Sequence, residues 1–397
     1  MNILVANLGS TSFKYRLYRF DGASETLLAK GGAERVTDYG RTIDGCLDAL
    51  RSAGHIAVAG DLGGVVFKTV HGGDLTGCVA AGEKVQAALA AFADLAPAHN
   101  PAYAAGIRQF REKLPGVPLV AVFETAFYQW VPDYAQRYAV PPAWHAAGVR
   151  RYGFHGASHK FIAERSAELL GRPDIADITR SLYHDGPRVV PGAPLRVISC
   201  HLGGSSSVTG ICDGVAIGNS MGLSPQSGLP QNNRVGDLDP AAISFVQRRL
   251  KISTTEAERQ LTEESGLLGL SGVSNDLREI RAAALAGDRR AELAIDVFVH
   301  AIRHWIGAFW FELGGCDGLV FTGGIGENNP WLREMVCAGL CDLGLVIDPE
   351  RNTAAVPESD FAAEESRTRI FMIPASEELV LAREAHRHLA AHGADTV

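Results

Sequence analysis

Two separated stretches carry the residue types that grip an anion. Asn2–Phe20 (NILVANLGSTSFKYRLYRF) and Arg196–Val215 (RVISCHLGGSSSVTGICDGV) each run from a β-branched, apolar segment into a turn rich in glycine and hydroxyls. Each then leaves through a second extended segment. Asn7, Gly9, Ser10, Thr11 and Ser12 line up with His201, Gly203, Gly204, Ser205 and Ser206. Small residues let backbone N–H groups and hydroxyls approach a charged oxygen closely, which suits phosphate. One such turn is ordinary, because Gly and Ser are frequent in turns. Two of them, roughly 195 residues apart, predict hairpins facing each other across a cleft with one nucleotide polyphosphate between them.

The elements around these turns alternate between β and α. Gly63–Val70 and Val117–Phe123 read as buried strands, with helices over Lys84–Leu95 and Ala102–Leu114. A proline-bearing stretch, Pro141–Arg151, breaks the pattern before a helix from about Ser158 to Leu170. The second half repeats the scheme. Asp239-Pro240 caps a helix running to Leu250, Arg289–Leu313 is a long helix, and Gly318–Thr322 and Arg369–Ile373 are strands. Gly323–Asn328 is a glycine-rich turn opening a helix near Pro330, and a last helix follows Ser376. This alternation predicts an α/β fold with mixed or parallel sheets in two similar lobes. The first lobe covers 1–148, joined by the C-terminal helix at 376–397, and the second covers 149–375.

Composition narrows the class. A chain of 397 residues with 46% hydrophobic and 21% charged residues is a soluble globular protein of two or three domains. A net charge of −8 argues against nucleic acid or an anionic membrane as partner. Seven cysteines without C-x-x-C spacing read as buried thiols in a reducing, cytoplasmic setting. No signal-peptide pattern and no membrane-spanning run is expected.

Several longer motifs resemble those of the acetate kinase family: NLGSTSFKY from Asn7, HNP from His99, YGFHGASH from Tyr152, SMGLSP from Ser220, RVGDLDP from Arg234, GIGEN from Gly324 and PASEEL from Pro374. They follow the family's order and near-family spacing along the whole chain. The resemblance implies the duplicated two-lobe fold shared with sugar kinases, chaperone ATPases and actin (ribonuclease H-like), with a nucleotide cleft between the lobes. It also implies phosphate transfer between ATP and a short carboxylic acid, a need for Mg²⁺ (or Mn²⁺), and a homodimer.

Carried over residue by residue, the resemblance assigns Arg234, His155 and Glu124 to catalysis, and Asn7 and Glu377 to the metal. Lys68, Val70, Ala98, His99, Phe154 and Pro225 would meet the acid. Ser10, Ser12, Lys14, His201, Leu202, Gly203, Gly204, Ser205, Asp276, Leu277, Arg278, Gly324, Ile325, Gly326, Glu327 and Asn328 would meet the nucleotide. The chemistry is consistent. Moving a γ-phosphoryl group onto a carboxylate brings two anions together, so fixed cationic donors and a metal are needed. Arg234 can grip bidentately from its polar loop, and His155 can donate from its ring. Plainer readings stand beside these: Arg234 as a surface arginine, His155 as a core or surface histidine, Glu377 as a favourable charge in a helix's first turn, and Lys14 as a strand decoration.

The chain departs from the family around the acid. Lys68 stands for the usual arginine before VHGG, Glu124 for an aspartate, Tyr128 for a histidine and Ala98 for a leucine before HNP. In the nucleotide half, Ser205 replaces a glycine, and Asn232-Asn233 replace Gly-Thr. Leucine to alanine opens space in which each CH₂ of a longer acid is worth about 0.8 kcal/mol, so propionate, butyrate or another short acid could compete with acetate. A slow ATP-driven switch is the competing reading from another class.

Overall fold

The apolar runs become two six-stranded mixed sheets with the same topology. The structure, a computed structural model, describes residues 1–9, 11–22, 24–97 and 99–393. Ser10 and Ala98 lie outside the described residues. The first sheet holds β1 (Asn2–Leu8), β2 (Ser12–Asp21), β3 (Ser24–Glu34), β4 (Gly64–Thr69), β5 (Cys78–Ala80) and β6 (Leu119–Phe123), in the order β3-β2-β1-β4-β6-β5. The second holds β7 (Arg196–Leu202), β8 (Ser206–Cys212), β9 (Val215–Asn219), β10 (Gly318–Thr322), β11 (Ser359–Asp360) and β12 (Arg369–Met372), in the order β11-β12-β10-β7-β8-β9. In each sheet three strands are joined antiparallel, the first of them starts a parallel trio, and a short antiparallel strand closes the far edge. The fold is therefore the expected duplicated two-lobe α/β plan.

Six helices matter for the site: α1 (Asn100–Lys113), α2 (Gly156–Leu169), α3 (Pro173–Asp185), α4 (Arg289–Leu313), α5 (Gly323–Asn328) and α6 (Glu377–His392). Side-chain alternation along a strand sends successive residues to opposite faces. Leu4, Ala6, Val65, Phe67 and Ala121 join the core under α1, while Ile3, Val5, Val66, Val120 and Val122 pack on Leu381, Ala382 and Ala385 of α6. In the second sheet Ile198, Cys200 and Leu202 pack on α4, and Val197, Ile211 and Val320 on α2 and α3. The two inner helices, α2 and α6, lie against each other. Lys160 of α2 and Glu384 of α6 form an ion pair of 3.0 Å there, each side chain 2% exposed.

Some elements differ from the sequence reading. Gly323–Asn328 is a short helix rather than a turn, because Glu327 Oε1 accepts from the Gly323 N–H and closes the turn on itself. The helix before Leu250 begins at Ala241, one residue later than expected, although the Asp239 carboxylate still accepts from Ala241 N–H. β3, β9 and α3 had no counterpart in the sequence reading. β3 is an edge strand with Lys30 and Glu34 facing solvent, so it lacks clean alternation, and only its pairing with β2 defines it. No helix among the described residues is long and apolar enough to cross a membrane.

Candidate active site

The parallel trio of the first sheet delivers three polar side chains to one place. Asn7 is the next-to-last residue of β1, Lys68 lies near the end of β4, and Glu124 follows β6; alternation turns all three to the face covered by α6, which begins at Glu377. The Lys68 ammonium bonds to Glu377 and stands 3.5 Å from Glu124 Oε1. Both Glu124 oxygens are buried without a hydrogen bond. Burial raises the Glu124 carboxyl to about 7, against the pull of Lys68. For Lys68, burial pushes the pKa down, but the two carboxylates outweigh it and the net shift is upward. Glu377 moves below its ordinary value, because Lys68 outweighs its own burial. Asn7 Oδ1 accepts from the Tyr103 hydroxyl at 3.0 Å. Tyr103 is a residue that sequence reasoning missed; its three-residue offset from Asn100 on α1 was the available signal.

The second sheet contributes imidazoles. His201 of β7 stacks on His155 with ring centroids 4.3 Å apart. His155 sits at the N-cap of α2 with φ 59°, a left-handed conformation that turns its ring toward the sheet. Its Nδ1 lies 2.8 Å from Ser207 Oγ, and Ser158 Oγ lies 2.8 Å from His201 Nδ1. Burial, then His201 and His159, then Lys68 and Arg234 hold the His155 pKa well below its ordinary value. Burial and then Arg234 and Lys68 hold His99 at about 4. Groups from both sheets therefore converge on one space.

Arg234 faces that space from its loop without a carboxylate partner among the described residues. Its Nη1 meets Gln231 Oε1 at 3.3 Å, Ser205 Oγ at 3.4 Å and the Pro225 carbonyl at 3.5 Å. Ser205 donates to Gln231 at 2.7 Å, so the serine that departs from the family is part of the cradle that aims the guanidinium. Asn232 packs beside Gly204, and its Oδ1 is buried and unpaired. The two bends are not superposable throughout. Leu8 pairs with Phe13 but Leu202 with Ser206, so the second bend is one residue shorter and the alignment slips after Gly203.

Val70 and Phe154 are buried, and His99 and Pro225 are half-buried. His71 donates from Nε2 to the Leu223 carbonyl at 3.0 Å, since its Nδ1 accepts from Gly73 N–H. This bond ties β4 to the loop carrying Pro225. Tyr128, in the place of a family histidine, donates to the Phe154 carbonyl at 2.7 Å and accepts from Asn219 Nδ2 at 2.8 Å. It thereby fixes the backbone just before His155.

Other expected site residues are placed differently. Leu202 and Leu277 put their side chains in the core under α4, leaving only backbone for a ligand. Asp276 caps the helix that begins at Leu277 and pairs with Arg278, whose hydrogen bonds and charge hold its carboxyl at about 2. The Glu327 carboxylate is taken by the N–H groups of Gly323 and Ala375, and Asn328 Nδ2 by the Gly324 carbonyl. Ile325 is packed against the core, Gly324 is exposed and Gly326 buried. Lys14 is exposed and lies 3.7 Å from Glu34; Ser12 is half-buried at the first bend, its Oγ filling the space where a Gly9 Cβ would be.

A duplicated α/β fold whose facing sheets direct a guanidinium, an ammonium and neutral imidazoles into one cleft defines an anion-handling protein of two lobes. Comparison with known proteins narrows this. Residues 33–383 match the acetokinase family, and the chain belongs to it. Acetate kinase of Heliobacterium modesticaldum is 38% identical over 416 residues, covering 98% of this chain and all of the relative. That of Desulfitobacterium hafniense is 40% identical over 409 residues, covering 96% and 98%. Among solved structures, acetate kinase of Porphyromonas gingivalis superposes with a TM-score of 0.85 at 32% identity, covering 98% and 99% of the two chains. A propionate kinase of Francisella tularensis gives 0.83 at 32%, covering 97% and 99%.

Proposed function

We propose that this protein moves a phosphoryl group reversibly between ATP and a short carboxylic acid, acetate in the first place, in a cytoplasmic homodimer. The observation that carries this reading is the half-buried Arg234 guanidinium, unpaired by any described carboxylate and within electrostatic reach of His155 and His99. We take residues 1–148 with the C-terminal helix as one lobe and 149–375 as the other, with the polyphosphate between the two bends.

The acid's carboxylate oxygen attacks the γ-phosphorus in line, the bond to the β–γ bridging oxygen breaks, and ADP leaves. The attacking oxygen is already an anion, so no proton needs removing. Arg234 and the ring of His155 hold the equatorial phosphoryl oxygens, where charge accumulates. Lys68 receives the acid's carboxylate as a point charge, and Glu124 keeps that ammonium charged and in place. The polar groups at the ends of β1 and β6 and the start of α6 fit Mg²⁺: the donors are oxygens, the Glu124 oxygens accept no hydrogen bond, and an incomplete protein set suits an ion that keeps its waters. Asn7 and Glu377 would hold it, and when bound it supplies positive charge to the phosphates.

The test is the purified protein with ATP, Mg²⁺ and hydroxylamine, across formate, acetate, propionate and butyrate. Acid-dependent hydroxamate is expected. ATP turnover without it would favour an ATP-driven switch. Resemblance to the propionate kinase, together with Ala98 where the family carries leucine, supports a second reading in which a longer acid is preferred. A higher kcat/KM for acetate than for every longer acid removes that second reading.

A further inference from the structure

Four buried or half-buried side chains between the second sheet and α2 form one chain of contacts. Ser199 Oγ meets His159 Nδ1, His159 Nε2 meets Ser207 Oγ, and Ser207 Oγ meets His155 Nδ1, each at 2.8 Å. Strand alternation puts Ser199 of β7 and Ser207 of β8 on the face under α2, where a one-turn spacing stacks His155 and His159. Ser199, His159 and Ser207 are 0% exposed. His155 Nε2, the open end, makes no hydrogen bond among the described residues.

A neutral imidazole carries one ring proton, and each hydroxyl has one proton to donate. Three proton arrangements satisfy the internal links; in one, both imidazoles donate to Ser207 Oγ and the buried Ser207 hydrogen is stranded, and the other two run in a single direction throughout. In the first of these two, every proton points toward His155, whose own proton then sits on the outward Nε2. In the second, every proton points toward Ser199, and His155 presents a bare Nε2. The two differ at the closed end. The Ser199 hydroxyl makes no second hydrogen bond among the described residues, so the second polarity strands its hydrogen in a buried site. Leaving a buried donor unpaired disfavours that arrangement by about tenfold or more. The depressed pKa values of both histidines agree with neutral rings.

We infer that Ser199 and His159 are positioning residues that fix His155, through Ser207, as its Nε2–H tautomer. A neutral ring then offers a donor toward the cleft, already aimed before substrate arrives. The inference rests on phosphoryl transfer only for what receives that donor; the tautomer is a property of the free protein.

Ser199→Thr keeps the hydroxyl, and Ser199→Val removes it at matched shape. Long-range ¹H–¹⁵N spectra of histidine-labelled full-length protein read the tautomer, and hydroxamate formation reads kcat and KM. Wild type and the threonine variant should show His155 protonated on Nε2. The valine variant should show a near-equal mixture, with kcat lowered about two- to tenfold and KM changed less than about twofold. A wild-type His155 protonated on Nδ1, or a valine variant with the wild-type tautomer, overturns the inference. The wild-type spectrum decides the polarity by itself should the valine variant not fold. Nε2–H in a protein that phosphorylates no acid would support the relay while removing the proposed function.

Discussion

Arg234 is surrounded by acceptors that carry no charge, at 3.3–3.5 Å, and so keeps its own charge available for a ligand. Arg234→Ala should lower kcat on the order of 10³-fold with a small change in KM, and Arg234→Lys should recover little, since an ammonium lacks the planar fork. Initial rates of hydroxamate formation check both. Tyr128 makes a different kind of contribution. Its hydroxyl closes a buried network with Phe154, Thr209 and Asn219, so Tyr128→Phe should destabilise by about 1–3 kcal/mol in urea unfolding. Resemblance marked this residue only as a departure. Its partners lie 26 to 91 positions away, a pairing that no local pattern carries.

At the scale of elements, the start of α2 decides where His155 stands. Gly156 N–H donates to the Glu124 carbonyl at 2.9 Å, and a Cβ at Gly156 would come within 2.3 Å of that oxygen. Gly156→Ala should therefore push α2 off the end of β6, costing about 1–3 kcal/mol in stability and lowering kcat together. Urea midpoints with rates on the same samples test this. Further along, α2 and α6 are pinned by Lys160 and Glu384, with Arg387 also on Glu384. Glu384 keeps Arg387 when Lys160 is removed, so Lys160→Met should cost about 1–3 kcal/mol, less than a fully stranded charge. The double variant Lys160→Met with Glu384→Gln should cost less than the two single changes summed, as a double-mutant cycle in urea measures.

For the whole molecule, the direction in which buried histidines titrate sets its acid tolerance. Burial holds His71 at about 4 against an ordinary value of 6.5. The unfolded chain therefore binds the proton first. The His71 contribution is fully present above about 6.5 and is lost as pH falls toward about 4, amounting to about 3 kcal/mol. His155, His159, His201 and His99 shift the same way, so the effects accumulate. Unfolding free energies measured from pH 7.5 to pH 4.5 should fall steeply, and His71→Gln should reduce that slope by about one proton's worth. A flat profile in the wild type would contradict neutral buried rings.

The sequence by itself determined the duplicated α/β plan, the strands at Gly318–Thr322 and near Val117–Phe123, and the bounds of α4 at Arg289–Leu313. Those follow from period-2 and period-3.6 burial, which are local signals. Lys68, Glu124 and His155 were expected in one site only through the motifs that resemble the family's. Only the tertiary structure decided that Asn7, Lys68 and Glu124 share the α6 face, because that depends on three parallel strands lying side by side. It alone turned Leu202 and Leu277 into the core, engaged Glu327 with backbone N–H groups, and joined Ser199 to His155. Hydrogen-bond partnership depends on distance in space, and residues far apart in the chain acquire it only when sheet and helix pack.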